Sequence, residues 1–152
     1  MDEVMMLHIV ERIDADNYSR FEDMLYWREK GIEREPAQAV SSDEALCELA
    51  DPNLYLYSVL CDGRYVGWIS LIYMPKVSRV KRGYVYVDEL WVEPSYRGRG
   101  FARMLMAEAD RLRSELKAAG LRLYVNVENP AAMRLYESCG YAQCGQAYFM
   151  EK

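Results

Sequence analysis

The sequence predicts a mixed α/β fold, and three observations lead to this prediction. Segments rich in β-branched and aromatic residues alternate with segments whose apolar residues recur at helical spacing. An Asp-Gly pair joins two of the strand-like segments, as in a tight hairpin. The chain has 152 residues, of which 51% are hydrophobic, enough for one domain with its own core. We therefore expect residues 1–152 to form a single domain.

The first half of the chain is predicted to contain one strand, two helices and a hairpin. Residues 5–13 are strand-like, and the helical spacing that follows ends at Gly31, a favourable residue just beyond a helix. A second helix is expected near Ser41, which stands three residues before a glutamate as in a capping box. Asp62 and Gly63 suit a type I′ turn between the strand-like segments LYLYSVL and RYVGWISLIY.

The second half is predicted to begin with a polar, basic connector, VSRVKRG, followed by a strand over residues 84–92. A long helix then ends at Gly120, and the segment LRLYVNV forms the next strand. Asn129 and Pro130 are favoured first residues of a last helix, which Gly140 closes. The tail YAQCGQAYFMEK is expected to add one or two strands. The long helix is predicted from one apolar stripe, formed by Phe101, Leu105, Ala109, Leu112 and Leu116.

Composition argues against several classes of protein. No apolar run approaches the about 18 residues needed to span a membrane, and the first residues do not resemble a secretory signal. The four cysteines contain no CxxC pair, and the only histidine, His8, lies far from them, so we expect no metal site and reduced thiols in a cytoplasm. A net charge of −5 argues against nucleic acid as the main ligand.

Charge is distributed unevenly along the chain. Residues 1–75 carry a net charge of −9, whereas residues 76–152 carry +4. This asymmetry suggests a cationic partner at one face and an anionic partner at another. Two solvated surfaces of opposite sign would account for the charges equally well.

The segment RGRG, residues 97–100, stands between a predicted strand and a predicted helix. The first amides of a helix lack backbone partners, and they carry partial positive charge. Gly98 and Gly100 would let the chain approach a phosphate closely, and Arg97 and Arg99 would add charged hydrogen bonds. The turn therefore fits a pyrophosphate, although neither a Walker loop nor a dinucleotide fingerprint is present. A purely structural turn is the alternative.

Two segments of the chain resemble motifs of the GNAT superfamily of N-acetyltransferases. The segment Val92 to Ala102 contains the pattern Arg-x-x-Gly-x-Ala, and Asn129 to Tyr141 is similar to a second motif of the family. The predicted element order resembles the family over essentially the whole chain. The resemblance implies a three-layer α-β-α fold, with a central mixed sheet of six to seven strands and about four helices. It also implies acetyl-CoA as co-substrate.

The resemblance places the cofactor on the strand and turn that precede the long helix. The backbone of the strand would pair with the pantetheine arm, and the turn would hold the pyrophosphate. Asn129 would touch the arm, although a helix cap explains this residue as well. The implied cofactor-binding residues are Leu90, Trp91, Val92, Arg97, Gly98, Arg99, Gly100, Phe101, Ala102, Arg103, Asn129 and Tyr136.

Three residues are candidates for proton transfer. By resemblance, Tyr136 is the acid that protonates the departing thiolate. Asp88 and Glu89 are adjacent carboxylates in a strand, where acids are disfavoured, and one of them is the candidate base. Their side chains should point to opposite faces unless a bulge intervenes. We favour Glu89 narrowly, and a salt bridge to the basic connector is the structural alternative.

The acceptor is not specified by these motifs. Aromatic and acidic residues of the first half, including Tyr18, Phe21, Trp27, Glu29 and Glu33, suggest a small cationic amine, although such aromatics are often core residues. A protein or peptide acetyltransferase and a catalytically silent acyl-CoA sensor are the alternatives, and other acyl donors stay open. By resemblance we also expect a homodimer.

Overall fold

A computed structural model describes residues 9–33, 43–77 and 79–152. Five strands in these ranges form one sheet in the order β1-β2-β3-β4-β5. The first four strands are antiparallel to their neighbours, and β5 runs parallel to β4. The strands are β1 (Ile9–Arg12), β2 (Leu54–Cys61), β3 (Arg64–Lys76), β4 (Arg79–Val92) and β5 (Gly120–Leu123), and the helices are α1 (Tyr18–Lys30), α2 (Asp43–Leu49), α3 (Phe101–Leu116) and α4 (Pro130–Ser138).

Local residue chemistry explains where several of these elements begin and end. Asp62 and Gly63 both have positive φ, 50° and 78°, as a type I′ turn between β2 and β3 requires. Gly31 ends α1 with a φ of 70°, and its amide donates to the carbonyl of Trp27. The side chain of Asn129 accepts a hydrogen bond from the amide of Ala132 at 3.1 Å, so it caps α4. These three predicted signals are confirmed.

The helices cover both faces of the sheet. On one face, Phe21 and Met24 of α1 pack with Trp68 of β3 in a core cluster that Leu49 of α2 also contacts. On the other face, α3 forms the larger cluster through Phe101, Leu105, Met106, Ala109 and Leu112. Tyr136 of α4 packs against the α3 cluster as well. The predicted three-layer α-β-α arrangement is therefore confirmed.

Within the described residues, the sheet has fewer than the six to seven strands predicted. The described residues form five strands, and residues 141–152 adopt no regular secondary structure. A strand exists only through hydrogen bonds to a neighbour. Within the part of the chain that the structure describes, residues 142–152 make no hydrogen bond, so the tail lacks the partner that the prediction assumed.

Three predicted boundaries differ from those of the structure. The basic connector is part of β4, which begins at Arg79, because residue 79 pairs with Lys76 across the β3–β4 turn. The helix α3 ends at Leu116 rather than Gly120, since Lys117 adopts a left-handed conformation with a φ of 54°. The segment LRLYVNV is a strand only as far as Leu123. Residues 5–8, His8 and the predicted cap at Ser41 lie outside the described residues.

Candidate active site

One edge of β4 is open over its last five residues. Strand β5 pairs with β4 from Tyr84 to Val87 only, and the chain leaves the sheet after Leu123. Beyond Val87, β4 continues to Val92 and pairs there with β3 on its other edge. Among the described residues, no strand therefore covers the β5-side edge of residues 88–92. Backbone donors and acceptors on such an edge can pair with an extended, amide-bearing ligand.

A β-bulge lies at the start of this open edge. Ser70 of β3 pairs with Glu89, and the next residue, Leu71, pairs with Val87, so that Asp88 is an extra residue without a cross-strand partner. Leu90 and Val92 pack with the α3 cluster, whereas Trp91 packs with the α1 cluster. Because side chains alternate after the bulge, Glu89 lies on the α1 face with Trp91. The bulge thus decides which face receives the Glu89 carboxylate.

The turn after β4 is held in place by its own side chains. The amide of Ser95 donates to a carboxylate oxygen of Glu93 at 2.7 Å, at the start of a 3-10 helix, Pro94–Tyr96. The ε-nitrogen of Arg97 donates to the carbonyl of Val92 at 2.9 Å, which ties the turn back to the end of β4. The Arg99 guanidinium lies over the ring of Tyr96, 5.1 Å from its centroid. The side chains of Arg97 and Arg99, which were predicted to bind phosphate, therefore also make contacts within the turn.

Glycine is required at both of its positions in the turn. Gly98 and Gly100 have φ values of 76° and 86°, a region that other residues adopt only with strain. A Cβ at either position would meet no heavy atom within 4 Å, so backbone conformation rather than crowding explains these glycines. Gly100 is the N-cap of α3 and provides no side-chain cap, and no acidic residue stands in the first turn. The turn leaves the positive end of α3 facing the open side of the glycines.

Glu89 has a cation beside it, which comes from α1. A guanidinium nitrogen of Arg28, on α1, lies 4.0 Å from a carboxylate oxygen of Glu89. Among the described ion pairs, the partner of Glu89 is therefore Arg28, and the structural alternative of a salt bridge to the basic connector gains no support. The side chains of Arg28 and Glu89 are 46% and 52% exposed, and an ion pair so exposed contributes only about 0–1 kcal/mol.

Tyr136 lies on α4 and packs against the cluster on the α3 face, opposite to the face of Glu89. Its ring centroid is 6.2 Å from that of Tyr141. Burial raises the pKa of the Tyr136 phenol above its ordinary value, and Cys139 adds a smaller contribution in the same direction. The phenol is therefore protonated at neutral pH, as a proton donor must be.

The acidic and aromatic residues of α1 are more dispersed than the sequence suggests. Phe21 is a core residue, and the Trp27 ring packs edge-on against that of Tyr96. Glu29 pairs with Lys30 at 2.9 Å, and Glu33 pairs with Arg64. A cavity of about 190 Å³ between α1 and the β2–β3 turn is lined by two of these residues, Trp27 and Glu33. None of the predicted catalytic or cofactor-binding residues lines it, among those that the structure describes. The candidate carboxylates, Asp88 and Glu89, lie instead on the open stretch of β4.

Two residues of this region were missed by the sequence-based prediction of the site. Trp68 and Ser70 lie on the α1 face of β3, and Ser70 is directly opposite Glu89. A third residue, Arg28, stands in the sequence at helical spacing from Phe21 and Met24. A charged residue on an apolar stripe was the signal that could have marked it, because such a position normally faces the core.

A comparison with protein families agrees with this geometry. The model of the acetyltransferase (GNAT) family matches residues 16–141, which include the bulged strand, the glycine turn and α4. The chain belongs to the acetyltransferase (GNAT) family.

Individual relatives are more distant. The chain is 32% identical over 91 residues to an uncharacterized N-acetyltransferase, YdgE, of Bacillus subtilis strain 168, a match that covers 59% of this chain and 56% of that one. It is 33% identical over 78 residues to the spermidine N(1)-acetyltransferase of Vibrio cholerae, over 51% of this chain and 44% of that one. The chain thus spans about half the length of the curated relatives it matches.

Solved structures extend the likeness in fold to the whole chain. The aminoglycoside N-acetyltransferase AAC(6')-Iy, in complex with CoA, superposes with a TM-score of 0.76 at 16% identity, over 100% of this chain and 99% of that one. At this identity the likeness concerns the fold alone.

Within residues 9–33, 43–77 and 79–152, no group of three or more His, Cys, Asp or Glu side chains is arranged to hold a metal ion. In the same ranges, no helix has the length and apolar character needed to cross a membrane. Cys47, Cys61, Cys139 and Cys144 are free thiols.

Proposed function

We propose that this protein is an N-acetyltransferase that moves the acetyl group of acetyl-CoA directly to a primary amine. The observation that carries the proposal is the open edge of β4, which leads into a glycine turn and the N-terminus of α3. This arrangement offers backbone partners to an amide-bearing arm and positive potential to a pyrophosphate, in the order in which CoA presents them. Membership of the acetyltransferase family supports the same function.

Each part of CoA then has a proposed binding element. The backbone of Leu90, Trp91 and Val92 pairs with the pantetheine arm along the uncovered edge. The turn from Arg97 to Arg103 holds the pyrophosphate through amides and guanidinium groups. Asn129 caps α4, and this bond supports a structural role for its side chain.

The proposed reaction is a direct attack on the thioester. The amine nitrogen forms a bond with the acetyl carbon, the carbon–sulfur bond breaks, and the sulfur leaves as a thiolate. Glu89 or Asp88 accepts the proton that the amine loses, directly or through water. Tyr136 donates a proton to the thiolate. Glu89 is the stronger candidate base because its carboxylate faces the α1 layer at the bulge, where an acceptor can approach.

The acceptor is proposed to be a small cationic amine. The spermidine acetyltransferase among the relatives and the aminoglycoside acetyltransferase among the similar structures are named for amines of this kind. An N-alpha-acetyltransferase, RimI of Mycobacterium tuberculosis, is also similar over 64% of this chain, so a peptide amine is the second candidate.

An assay of thiol release from acetyl-CoA, run over a panel of diamines, amino sugars and peptides, tests the function. We expect release to depend on a small cationic amine. Tight CoA binding without turnover on any member of the panel would instead support a silent acyl-CoA sensor. Replacing acetyl-CoA by propionyl- or succinyl-CoA in the same assay determines the acyl preference.

The phosphate site is tested separately by Gly100→Glu. This change places a carboxylate at the N-terminus of α3 and strains the turn. The fixed carboxylate would occupy the positive end of the helix and repel the pyrophosphate. We therefore expect CoA affinity, measured by calorimetry, to fall at least about tenfold. Gly31→Glu is the matched control, because Gly31 also has a positive φ of 70° and open space around it. Equal CoA affinity in the two variants would refute the phosphate site.

A homodimer is also proposed, and the tail supports it. Tyr148, Phe149 and Met150 are 96%, 89% and 85% exposed, and three consecutive large apolar residues exposed on a segment without regular structure are typical of an interface. A cytoplasmic location stays a prediction from the composition.

A further inference from the structure

A cation of the protein itself occupies the space beside Glu89. The guanidinium carbon of Arg28 lies 5.4 Å from the ring centroid of Trp68 and 6.0 Å from that of Trp91. A guanidinium nitrogen lies 4.0 Å from a carboxylate oxygen of Glu89. Two indoles and a carboxylate around one positive charge are also how proteins bind ammonium ligands. We refer to Trp68, Trp91 and Glu89 as the cation box.

Arg28 is held only loosely in the cation box. A distance of 4.0 Å is too long for a hydrogen bond, and 46% of the Arg28 side chain is exposed. Helix α1 does not depend on this contact, because Phe21 and Met24 on the same helix are buried in the core. The Arg28 side chain is therefore free to leave the box while the helix stays in place.

The position of the cation box makes it relevant to the acceptor. Glu89 directly follows the bulge residue Asp88 and lies on the open stretch of β4. If the thioester binds along that stretch, the acceptor nitrogen has to arrive beside Glu89. Two positive charges a few ångströms apart repel each other, so Arg28 and a cationic acceptor exclude one another from the box.

The same face carries two polar groups that the free protein leaves unsatisfied. The indole nitrogen of Trp68 and the hydroxyl of Ser70 are buried, and neither has a hydrogen-bond partner among the residues that the structure describes. Both residues are more than nine-tenths buried, and Ser70 is the cross-strand partner of Glu89. Buried donors without partners are unfavourable, and a hydroxyl or carbonyl oxygen elsewhere on the acceptor molecule satisfies them, whereas the ammonium group itself has no acceptor to offer.

We propose that the cation box binds the positively charged group of the acceptor amine, and that Arg28 fills the box as an internal substitute until the acceptor displaces it. The proposal rests on the N-acetyltransferase function for the identity of the ligand, whereas the box is defined by contacts within the protein. With an internal competitor, the apparent dissociation constant is the intrinsic one divided by the fraction of molecules in which the box is empty. For an empty fraction of about 0.1 to 0.3, removing Arg28 strengthens binding about three- to tenfold.

The test uses tetramethylammonium chloride, a cation that cannot be acetylated. Binding is followed by the indole N–H signals of Trp68 and Trp91 in NMR spectra of the full chain, with sodium chloride at equal ionic strength as the reference. We expect Arg28→Ala and Arg28→Gln to lower the dissociation constant about three- to tenfold, because both remove the internal cation. Arg28→Lys should bind as the unaltered chain does, since it keeps the charge.

Arg20→Ala is the matched control for these variants. Arg20 lies on the same helix, with its guanidinium carbon 5.0 Å from the ring centroid of Tyr65, and it has no ion pair with Glu89 among the described contacts. This variant should leave tetramethylammonium binding unchanged. Any gain in affinity in Arg20→Ala equal to that in Arg28→Ala would overturn the proposal, because a general loss of positive charge would then explain both.

The remaining outcomes separate this proposal from the proposed function. Unchanged or weaker tetramethylammonium binding in both Arg28→Ala and Arg28→Gln contradicts the proposal that Arg28 fills the cation box. Indole signals that do not respond to tetramethylammonium contradict it as well. Tighter binding in these variants without acetyl transfer to any amine supports the cation box and refutes the proposed function. Where transfer occurs, Arg28→Ala should lower KM for 1,4-diaminobutane by the same factor and change kcat little. A raised KM in Arg28→Ala instead makes Arg28 a contact for the substrate and overturns the proposal.

Discussion

At the scale of single residues, the two proposed proton-transfer groups are set apart by their surroundings. Glu89 is half exposed beside Arg28, on the face of the sheet that α1 covers. Tyr136 packs against the α3 cluster, where burial raises the pKa of its phenol. In the proposed reaction, the acid and the base therefore act on the thioester from opposite faces of the sheet. The sheet itself thereby keeps the two groups from exchanging a proton directly.

Tyr136→Phe is the direct test of the proposed acid. We expect kcat to fall about a hundredfold with little change in CoA affinity, because general acid catalysis typically contributes 10²- to 10⁴-fold. Since the raised pKa keeps the phenol protonated well past neutral pH, the ratio of kcat between the two proteins should be the same at pH 7 and pH 9.

Tyr141→Phe provides the control for that variant. Tyr141 is the neighbouring tyrosine, and its buried hydroxyl has no hydrogen-bond partner among the described residues. Removing it should leave kcat unchanged. A full kcat in Tyr136→Phe, measured with the true acceptor, would exclude Tyr136 as the acid.

At the scale of the elements, the close approach of strands β3 and β4 to each other fixes the position of the candidate site. Gly67 lies in the middle of the sheet, and a Cβ there would be 2.8 Å from the carbonyl oxygen of Trp91 and 3.1 Å from a methyl group of Val92. The end of β4 and the turn after it therefore depend on a residue without a side chain on the neighbouring strand.

Gly67→Ala tests this close approach. The new methyl group would push against the backbone of β4, so we expect the free energy of unfolding to fall by about 1–3 kcal/mol, as for other overpacked positions. Chemical denaturation measures the change. Gly145→Ala, where a Cβ meets nothing within 4 Å, should change stability by less than about 0.5 kcal/mol. Equal stability of the two variants would mean that β3 and β4 separate without cost.

At the scale of the whole molecule, the tail, residues 142–152, is not part of the sheet. Residues 142–152 make no hydrogen bond within the described chain, and β5 has one edge without a partner there. An unpaired edge together with an unpaired apolar segment favours association with another chain. A second copy offers both surfaces at once, which is the physical reason for the proposed dimer.

Truncation after Tyr141 tests the role of the tail. We expect the full chain to have the mass of a dimer by light scattering, and the truncated chain to have the mass of a monomer. Cys144→Ser in the full chain is the control, because this exposed thiol also lies in the tail and its loss should leave the dimer intact. A full chain that stays monomeric at about 100 μM would contradict the proposal, since specific homodimers with standard interfaces associate well below that concentration.

Much of the fold could be predicted from the sequence, because many of its signals act over a few residues. The Asp62-Gly63 turn, the end of α1 at Gly31 and the cap at Asn129 each depend on the conformation or side chain of one or two residues. The glycine turn before α3 was predicted for the same reason, and both of its glycines have positive φ. The order of strands and helices follows from the period of the apolar residues, which is also a local property.

Only the tertiary structure decided the features that depend on distant parts of the chain. The bulge at Asp88 is a register shift against β3, and it alone determines that Glu89 faces α1. The partner of Glu89 is Arg28, which lies 61 residues earlier in the chain. The length of β5 and the lack of strands in residues 141–152 depend on which distant segments form backbone hydrogen bonds with each other. A local pattern determines the backbone conformation of a short segment. The free energy of the whole fold determines which strands pair, to which face of the sheet a side chain points and which residues are buried.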